Sequence, residues 1–148
     1  MKRHYSLQPL SRDHHHSLLL CWKIRTGFSK GVAVERIKKY SDWFFENYIQ
    51  PHFTVEEKFI FPVMGNDNTL VKKAMAEHRR LKRLFTNKDE IEKSLSLIEE
   101  ELESHIRFEE RVLFNEIQGI ATEDQLELVT KYHKDQKFQE NAMDEFWK

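Results

Sequence analysis

Two pairs of residues in this sequence combine an imidazole with a carboxylate at a spacing that suits a shared ligand. They are His52 with Glu56 and His105 with Glu109, each pair four residues apart. Residues four apart on an α-helix lie on one face, so each pair can offer a nitrogen and an oxygen to the same point. Mixed imidazole and carboxylate ligation suits iron, manganese or zinc rather than copper(I). One such pair alone is more often a surface pair than a metal site, and only its repetition favours a metal.

The two pairs lie in matching stretches of sequence. Residues 52–61 (HFTVEEKFIF) and 105–114 (HIRFEERVLF) both read histidine, apolar, two residues, Glu-Glu, a basic residue, two apolar residues and phenylalanine. An earlier helix carries a further histidine before each stretch, His15 or a neighbour before the first and His78 before the second. This repeat of a helical hairpin predicts an all-α, antiparallel up-down-up-down four-helix bundle with an additional C-terminal helix.

The first of these earlier histidines has to be chosen from three neighbours. His14, His15 and His16 cannot all face the core of the bundle. His15 is favoured because it and His78 are each followed by a leucine three residues later, and because Leu19 and Trp22 lie on the same side. His14 is the alternative, and His16 is expected to face solvent.

An α-helix rises about 1.5 Å per residue, so the position of each candidate ligand in its helix gives its distance from the helix end. Because neighbouring helices run in opposite directions, these distances place all the candidate ligands towards the same end of the bundle. The predicted metal ligands are His15, His52, Glu56, His78, His105 and Glu109. If each glutamate bridges, these side chains fill about eight of the roughly twelve positions around two six-coordinate ions. The other positions are open to water, hydroxide, oxo or a small ligand.

Local signals predict five helices in one domain over residues 1–148. Ser11 or Asp13 can cap the first helix, which ends at about Thr26, and Asn87 or Asp89 can cap the fourth. The second predicted helix spans residues 34–61 and is interrupted and kinked at Pro51. The third and fifth span residues 69–85 and 122–147, and the fourth ends at about residue 117. The metal-binding bundle therefore covers about residues 10–118 and the C-terminal helix about 122–147.

Composition argues against several classes of protein. The net charge is -1 and the isoelectric point about 6.7, which does not suit binding to nucleic acid through a basic surface. No apolar run approaches the roughly 20 residues of a membrane span, and the N-terminal residues lack the apolar segment of a signal peptide. A single cysteine, Cys21, forms no internal disulfide, so a cytoplasmic protein is expected.

The combined pattern resembles the hemerythrin-like, or HHE cation-binding, domain family. The resemblance covers about residues 10–118 and depends on residues 10–18, His52-x-x-x-Glu56-Glu57, residues 77–81 and His105-x-x-x-Glu109-Glu110. It implies a four-helix bundle with a non-haem di-iron centre near one end, bridged by oxo or hydroxo, with zinc or manganese as substitutes. It is most similar to the four-histidine, two-glutamate branch, which includes proteins implicated in iron–sulfur cluster repair and nitric-oxide stress.

Two positions separate this chain from the oxygen carriers of that family, whose last carboxylate is an aspartate five residues after its histidine, where this chain has Glu110. Those proteins have a fifth histidine on the third helix, four residues before the other, where this chain has Ala74. The expected function is therefore to bind or react with a small oxidant (oxygen, nitric oxide or peroxide) or to handle iron. The alternatives are a di-iron enzyme such as an oxidase or peroxidase, an iron donor in cluster repair, and a structural metal-binding scaffold. No nucleic-acid or membrane partner is expected.

The second glutamate of each Glu-Glu pair has two interpretations. Glu57 and Glu110 lie about 100° around the helix from the candidate ligands. They can support ligand histidines from outside the metal, which is common at metal sites. They can equally form salt bridges with Lys58 and Arg111.

Overall fold

The structure, a computed structural model, describes residues 1–133 and 136–148 and contains five helices and no strand in those ranges. The helices are α1 (Gln8–Ser29), α2 (residues 34–63), α3 (Thr69–Thr86), α4 (residues 91–120) and α5 (Glu123–Tyr132). The first four form the bundle, and the predicted all-α class is confirmed. No described helix is long and apolar enough to cross a membrane.

Helices α2 and α4 are not regular along their length. Helix α2 passes from Val34–Phe44 through a π turn, Gln50–Val55, a second π turn and the 3₁₀ turn Phe61–Val63. Helix α4 passes from Ile91–Phe108 through a π turn to Phe114–Ile120. The π turns Glu56–Ile60 and Glu109–Leu113 begin at the glutamates of the two His/Glu pairs, and such turns are frequent at functional sites. The sequence repeat is thus also a structural repeat.

Pro51 lies inside α2, and the helix continues through it as the predicted span of residues 34–61 requires. The π turn Phe45–Ile49 directly precedes the proline, and the Gln50 N–H donates to the Phe45 carbonyl. A proline removes one backbone donor and crowds the preceding turn. The wider turn accommodates both effects, so the helix continues to the His/Glu pair.

Helix α1 is longer than predicted at both ends. It begins at Gln8 with Pro9 in its first turn, so neither Ser11 nor Asp13 caps it. It continues past Gly27 to Ser29, and Gly31 follows with a positive φ of 69°. A Cβ on Gly27 would lie 2.8 Å from Phe146, so this glycine permits close packing rather than ending the helix.

The fourth helix also starts later than predicted. The Asn87 side chain accepts from the backbone N–H groups of Asp89 and Glu90, so it stabilises a turn before α4. The helix itself begins at Ile91.

The C-terminal helix is much shorter than predicted. Thr122 caps α5 in a capping box with Gln125, but the helix ends at Tyr132 instead of Trp147. The predicted helix also covered residues 134 and 135, which lie outside the described residues. Residues 136–148 contain no helix, and Trp147 is buried in the core. A non-helical chain covers up to about 3.3 Å per residue against 1.5 Å in a helix, so it spans the distance to that core with fewer residues.

Two apolar clusters fill the bundle, one on each side of its polar centre. The larger cluster includes Ile24, Phe44, Phe85, Leu95 and Trp147. The smaller includes Leu10, Ile60, Ala74, Phe114 and Val129, so α5 covers that end. The polar residues described next lie between the two clusters and are held by packing on both sides.

Candidate metal centre

The centre of the bundle contains buried histidines and glutamates from four helices. Two groups of residues each offer ligand atoms that all lie within 4.8 Å of one another. The first group is His14, His52, Glu56 and Glu109, and the second is Glu56, His78, His105 and Glu109. Every member is at most 5% exposed. Five of the six predicted ligands are therefore brought together.

His15 is the predicted ligand that the structure does not place there. It is exposed, whereas His14 is 3% exposed and belongs to the first group. The preference for His15 is corrected on geometry, because neighbouring residues on a helix point about 100° apart. His16 is half-buried and stacks on Phe138, with ring centroids 4.4 Å apart.

Glu56 spans the two groups with its two oxygens. Oε2 lies 3.1 Å from His52 Nε2, and Oε1 lies 3.1 Å from His78 Nε2. Glu109 also reaches both, since its Oε1 lies 3.0 Å from His14 Nε2 and 3.3 Å from His105 Nε2. Both carboxylates are fully buried. This is the arrangement that two bridging carboxylates need.

Several of these atoms are buried without a hydrogen-bond partner. They are both oxygens of Glu56, Oε2 of Glu109, and Nε2 of His78 and of His105. The close distances between them therefore do not carry good hydrogen-bond angles. Buried polar atoms without partners are costly, and proteins rarely retain them without a reason. Lone pairs that converge on common points fit metal ions at those points.

A ring of carboxylates orients the four histidines from outside. Each Nδ1 is paired with a carboxylate from another helix, so each Nε2 turns inward. The pairs are His14 with Glu110 at 2.6 Å, His52 with Asp13 at 2.9 Å, His78 with Glu57 at 2.8 Å and His105 with Glu77 at 2.7 Å. Of the two interpretations of Glu57 and Glu110, the geometry favours support of the histidines.

Asp13 and Glu77 were not predicted to belong to the site. Each directly precedes a histidine of the centre in the sequence, and each supports the histidine of the following helix. An acidic residue before a core histidine in both hairpins is the signal that could have revealed them. Its meaning depends on which helices are neighbours, and that is known only from the fold.

Comparison with known proteins agrees with this geometry. The family model described as the hemerythrin HHE cation binding domain matches residues 7–117. The chain belongs to this family. The resemblance seen in the sequence is thus confirmed, over residues that include all six members of the centre. No curated protein and no solved structure matches the chain.

This HHE centre has two halves with two histidines each, His14 and His52 in one and His78 and His105 in the other. Ala74, four residues before His78 on α3, is fully buried in the smaller apolar cluster. The chain has no imidazole at that position, so the half with His78 and His105 has no further nitrogen there.

Charges within the HHE centre shift the pKa values of its members. Burial alone would lower the pKa of His52, but the charge of Glu56 and the hydrogen bond to Asp13 raise it to about 9. Burial is also outweighed at His105, where the charge and hydrogen bond of Glu109 raise the pKa to about 10. Burial would raise the pKa of Glu56, but the neighbouring histidines hold it well below its usual range. Without metal, His52 and His105 are therefore protonated at neutral pH and paired with carboxylates.

These shifts predict how pH affects metal binding. His52 and His105 hold protons up to about pH 9 and 10, whereas unfolded histidine loses its proton near 6.5. Their pairs stabilise the metal-free fold fully below about pH 6.5, and this contribution is lost as pH rises through 9 to 10. A metal must displace these protons. We therefore expect Zn²⁺ binding at pH 7 to release at least two protons per chain, and zinc affinity to increase between pH 6 and 8.

Calorimetric titration with Zn²⁺ in buffers of different ionisation enthalpy measures that proton release. His15→Ala is the matched control, because this exposed residue lies outside both groups. Zinc binding with no proton release at pH 7 would contradict the proposed charge state of the centre.

Two cavities border the centre. The α2–α3 cavity has a volume of about 330 Å³ and is lined by Phe53, Glu57 and His78 among others. The α2–α5 cavity, of about 250 Å³, is lined by Asp13, His52 and His133 among others. A larger cavity of about 710 Å³ is lined by residues of α1, α2, α4 and the turn before α4, none of which belongs to the centre. The two smaller cavities thus lie beside one histidine of each half.

Proposed function

We propose that this protein holds a dinuclear non-haem iron centre that binds or reacts with a small oxidant. The observation that carries the proposal is the sharing of Glu56 and Glu109 by two groups of ligand atoms, each completed by two histidines. In such a site His14 and His52 would hold one ion, and His78 and His105 the other. Zinc and manganese suit the same donor atoms, so iron is a proposal from the donor set and the family resemblance.

The side chains around the centre would keep it ordered and dry. Phe53 stacks on His78 with centroids 3.7 Å apart, and Phe114 stacks on His14 at 5.3 Å. The outer carboxylates hold the imidazoles in the tautomer that presents Nε2 inward. A low-polarity surrounding limits access of water to a reactive centre. When bound, the iron pair would supply redox chemistry towards oxygen, nitric oxide or peroxide.

The cavities beside His52 and His78 support a reactive rather than a structural role. Structural zinc sites are closed, four-coordinate and rich in cysteine. Here the cysteine, Cys21, lies in the larger apolar cluster, apart from both groups of ligands. Cavities of this size admit molecules of two or three atoms. The same centre could serve iron handling, an oxidase or a peroxidase. The experiment below separates these functions from oxygen carriage.

Reversible oxygen carriage is not expected, since Ala74 stands where the oxygen carriers of the family have a histidine ligand. Compared with those carriers, the centre would have a larger share of oxygen ligands. Hard, anionic ligands favour the more oxidised metal. We expect the iron(II)-loaded protein to change its absorption spectrum on exposure to oxygen and to keep the new spectrum when oxygen is removed. The measurement is one cycle of oxygenation and deoxygenation without reductant. Return of the starting spectrum would identify an oxygen carrier, and no spectral change with oxygen, peroxide or nitric oxide would leave iron handling as the function.

A further inference from the structure

Residues beyond the family match reach the metal centre. The match ends at residue 117, whereas His133 directly follows α5. His133 Nε2 lies 2.9 Å from Oδ2 of Asp13, an ion-pair contact whose angles are not those of a good hydrogen bond. The same oxygen lies 2.9 Å from Nδ1 of His52. Asp13 is therefore held between a histidine of the centre and a histidine of the C-terminal segment.

Other outer carboxylates are also held by additional side chains. Glu110 accepts from Ser11 Oγ at 2.9 Å and contacts Arg3, and Glu77 pairs with Lys73. Those partners lie on α1, before α1 and on α3. For Asp13 the corresponding contact comes from the C-terminal segment. The His52 side of the centre thus depends on a part of the chain that the family domain does not include.

We propose that His133 is a positioning residue that acts through Asp13 on the half of the centre formed by His14 and His52. This inference rests on the proposed dinuclear centre. It makes the two halves unequal, although the sequence repeat makes their ligands alike. Removal of His133 should weaken metal binding in that half and leave the half with His78 and His105 unchanged.

The physical reason is the freedom of the Asp13 side chain. It is 27% exposed, so without His133 it can turn towards water in the α2–α5 cavity. His52 would then lose the acceptor that fixes its tautomer and ring orientation. Loss of such outer contacts typically costs about 10–100-fold in metal affinity. Since His133 acts on His52 only through Asp13, we expect its removal to lower metal affinity by about tenfold, the lower end of that range.

The test is a titration with Co²⁺ as the probe, in competition with a chelator, which separates two binding steps. The variants are His133→Ala, His133→Gln, which keeps a donor for Asp13, and the exposed control His15→Ala. We expect His133→Ala to weaken one step about tenfold and change the other less than twofold. His133→Gln should restore most of the loss, and His15→Ala should match the wild type.

A second measurement reports on His52 directly. In the Co²⁺ protein, proton NMR resolves the shifted, exchangeable Nδ1–H signals of bound histidines. We expect His133→Ala to move or broaden one of the two signals that His52→Ala abolishes, which are those of the half with His14 and His52. A general loss of stability would weaken both steps and move all signals. Should His133→Ala not fold, His133→Phe keeps a ring without its nitrogens and gives the same comparison.

Equal weakening of both steps, or no change in either, would overturn the role of His133 while the wild type still bound two ions. Fewer than two Co²⁺ ions in the wild type would overturn the dinuclear centre itself and this inference with it. The two failures are therefore distinguished by the wild-type titration.

Discussion

Replacing Glu56 or Glu109 with alanine should remove at least one of two iron ions per chain, under conditions that saturate the wild type. Each carboxylate belongs to both groups of ligand atoms, and both are fully buried. The loss of a shared ligand also leaves its histidine partners without a counter-charge. We expect the affinity for at least one ion to fall by more than the roughly 10–100-fold that outer residues cost. Elemental analysis after desalting measures the iron content.

The neighbouring glutamates provide matched controls for that result. Glu57→Ala and Glu110→Ala remove carboxylates that hold His78 and His14 from outside, so their losses should be smaller. Glu46→Ala, at an exposed position of α2, should retain both ions. Equal losses from Glu56, Glu57, Glu109 and Glu110 would show that the bridging role is wrongly assigned.

The second large effect is expected from two adjacent histidines. His14→Ala should reduce the iron content to about one ion per chain or less, because His14 Nε2 lies in the first group beside Glu109. His15→Ala should leave the iron content unchanged, because the side chain is exposed. The pair controls for the loss of a histidine from the same turn of α1. The comparison uses elemental analysis together with the circular dichroism of both variants.

An opposite result would be informative about the register of α1. If His15→Ala lost iron and His14→Ala did not, the first helix would be rotated by about 100° relative to the structure. Iron loss in both variants, with unchanged helix content, would show that neither side chain acts alone.

The bundle and most of its centre could be predicted because the signal is local and repeated. His52/Glu56 and His105/Glu109 fix a helical face by their spacing alone. Their matching surroundings then predict two hairpins, and the hairpins predict which ends meet. These steps need only helix geometry, so the structure agrees with them.

The preference for His15 differs from the structure because Leu19 and Trp22, which also supported it, lie on an exposed face of the helix. The buried positions around the centre include Leu10, His14, Ser17 and Cys21, at the spacings expected of one helix face. Leu18, which favoured His15, is only partly buried. Ser17 and Cys21 are small and carry little hydrophobic signal, so the true face was less visible.

The remaining differences arise from contacts between distant parts of the chain. The end of α5 at Tyr132 follows from the burial of Phe146 and Trp147 in the larger cluster, which no local pattern encodes. The pairing of Asp13 with His52 joins α1 to α2. Helical periodicity predicts faces of single helices, but it does not predict which side chains of two faces meet.

The central claim is that two metal ions share Glu56 and Glu109, and a crystal of the iron-loaded protein tests it most directly. Anomalous diffraction at the iron absorption edge locates each ion independently of the protein coordinates. We predict two peaks per chain, one bound by His14 and His52, the other by His78 and His105, with both glutamates reaching both ions. A single peak, or iron bound away from these residues in a well-ordered crystal, would contradict the account.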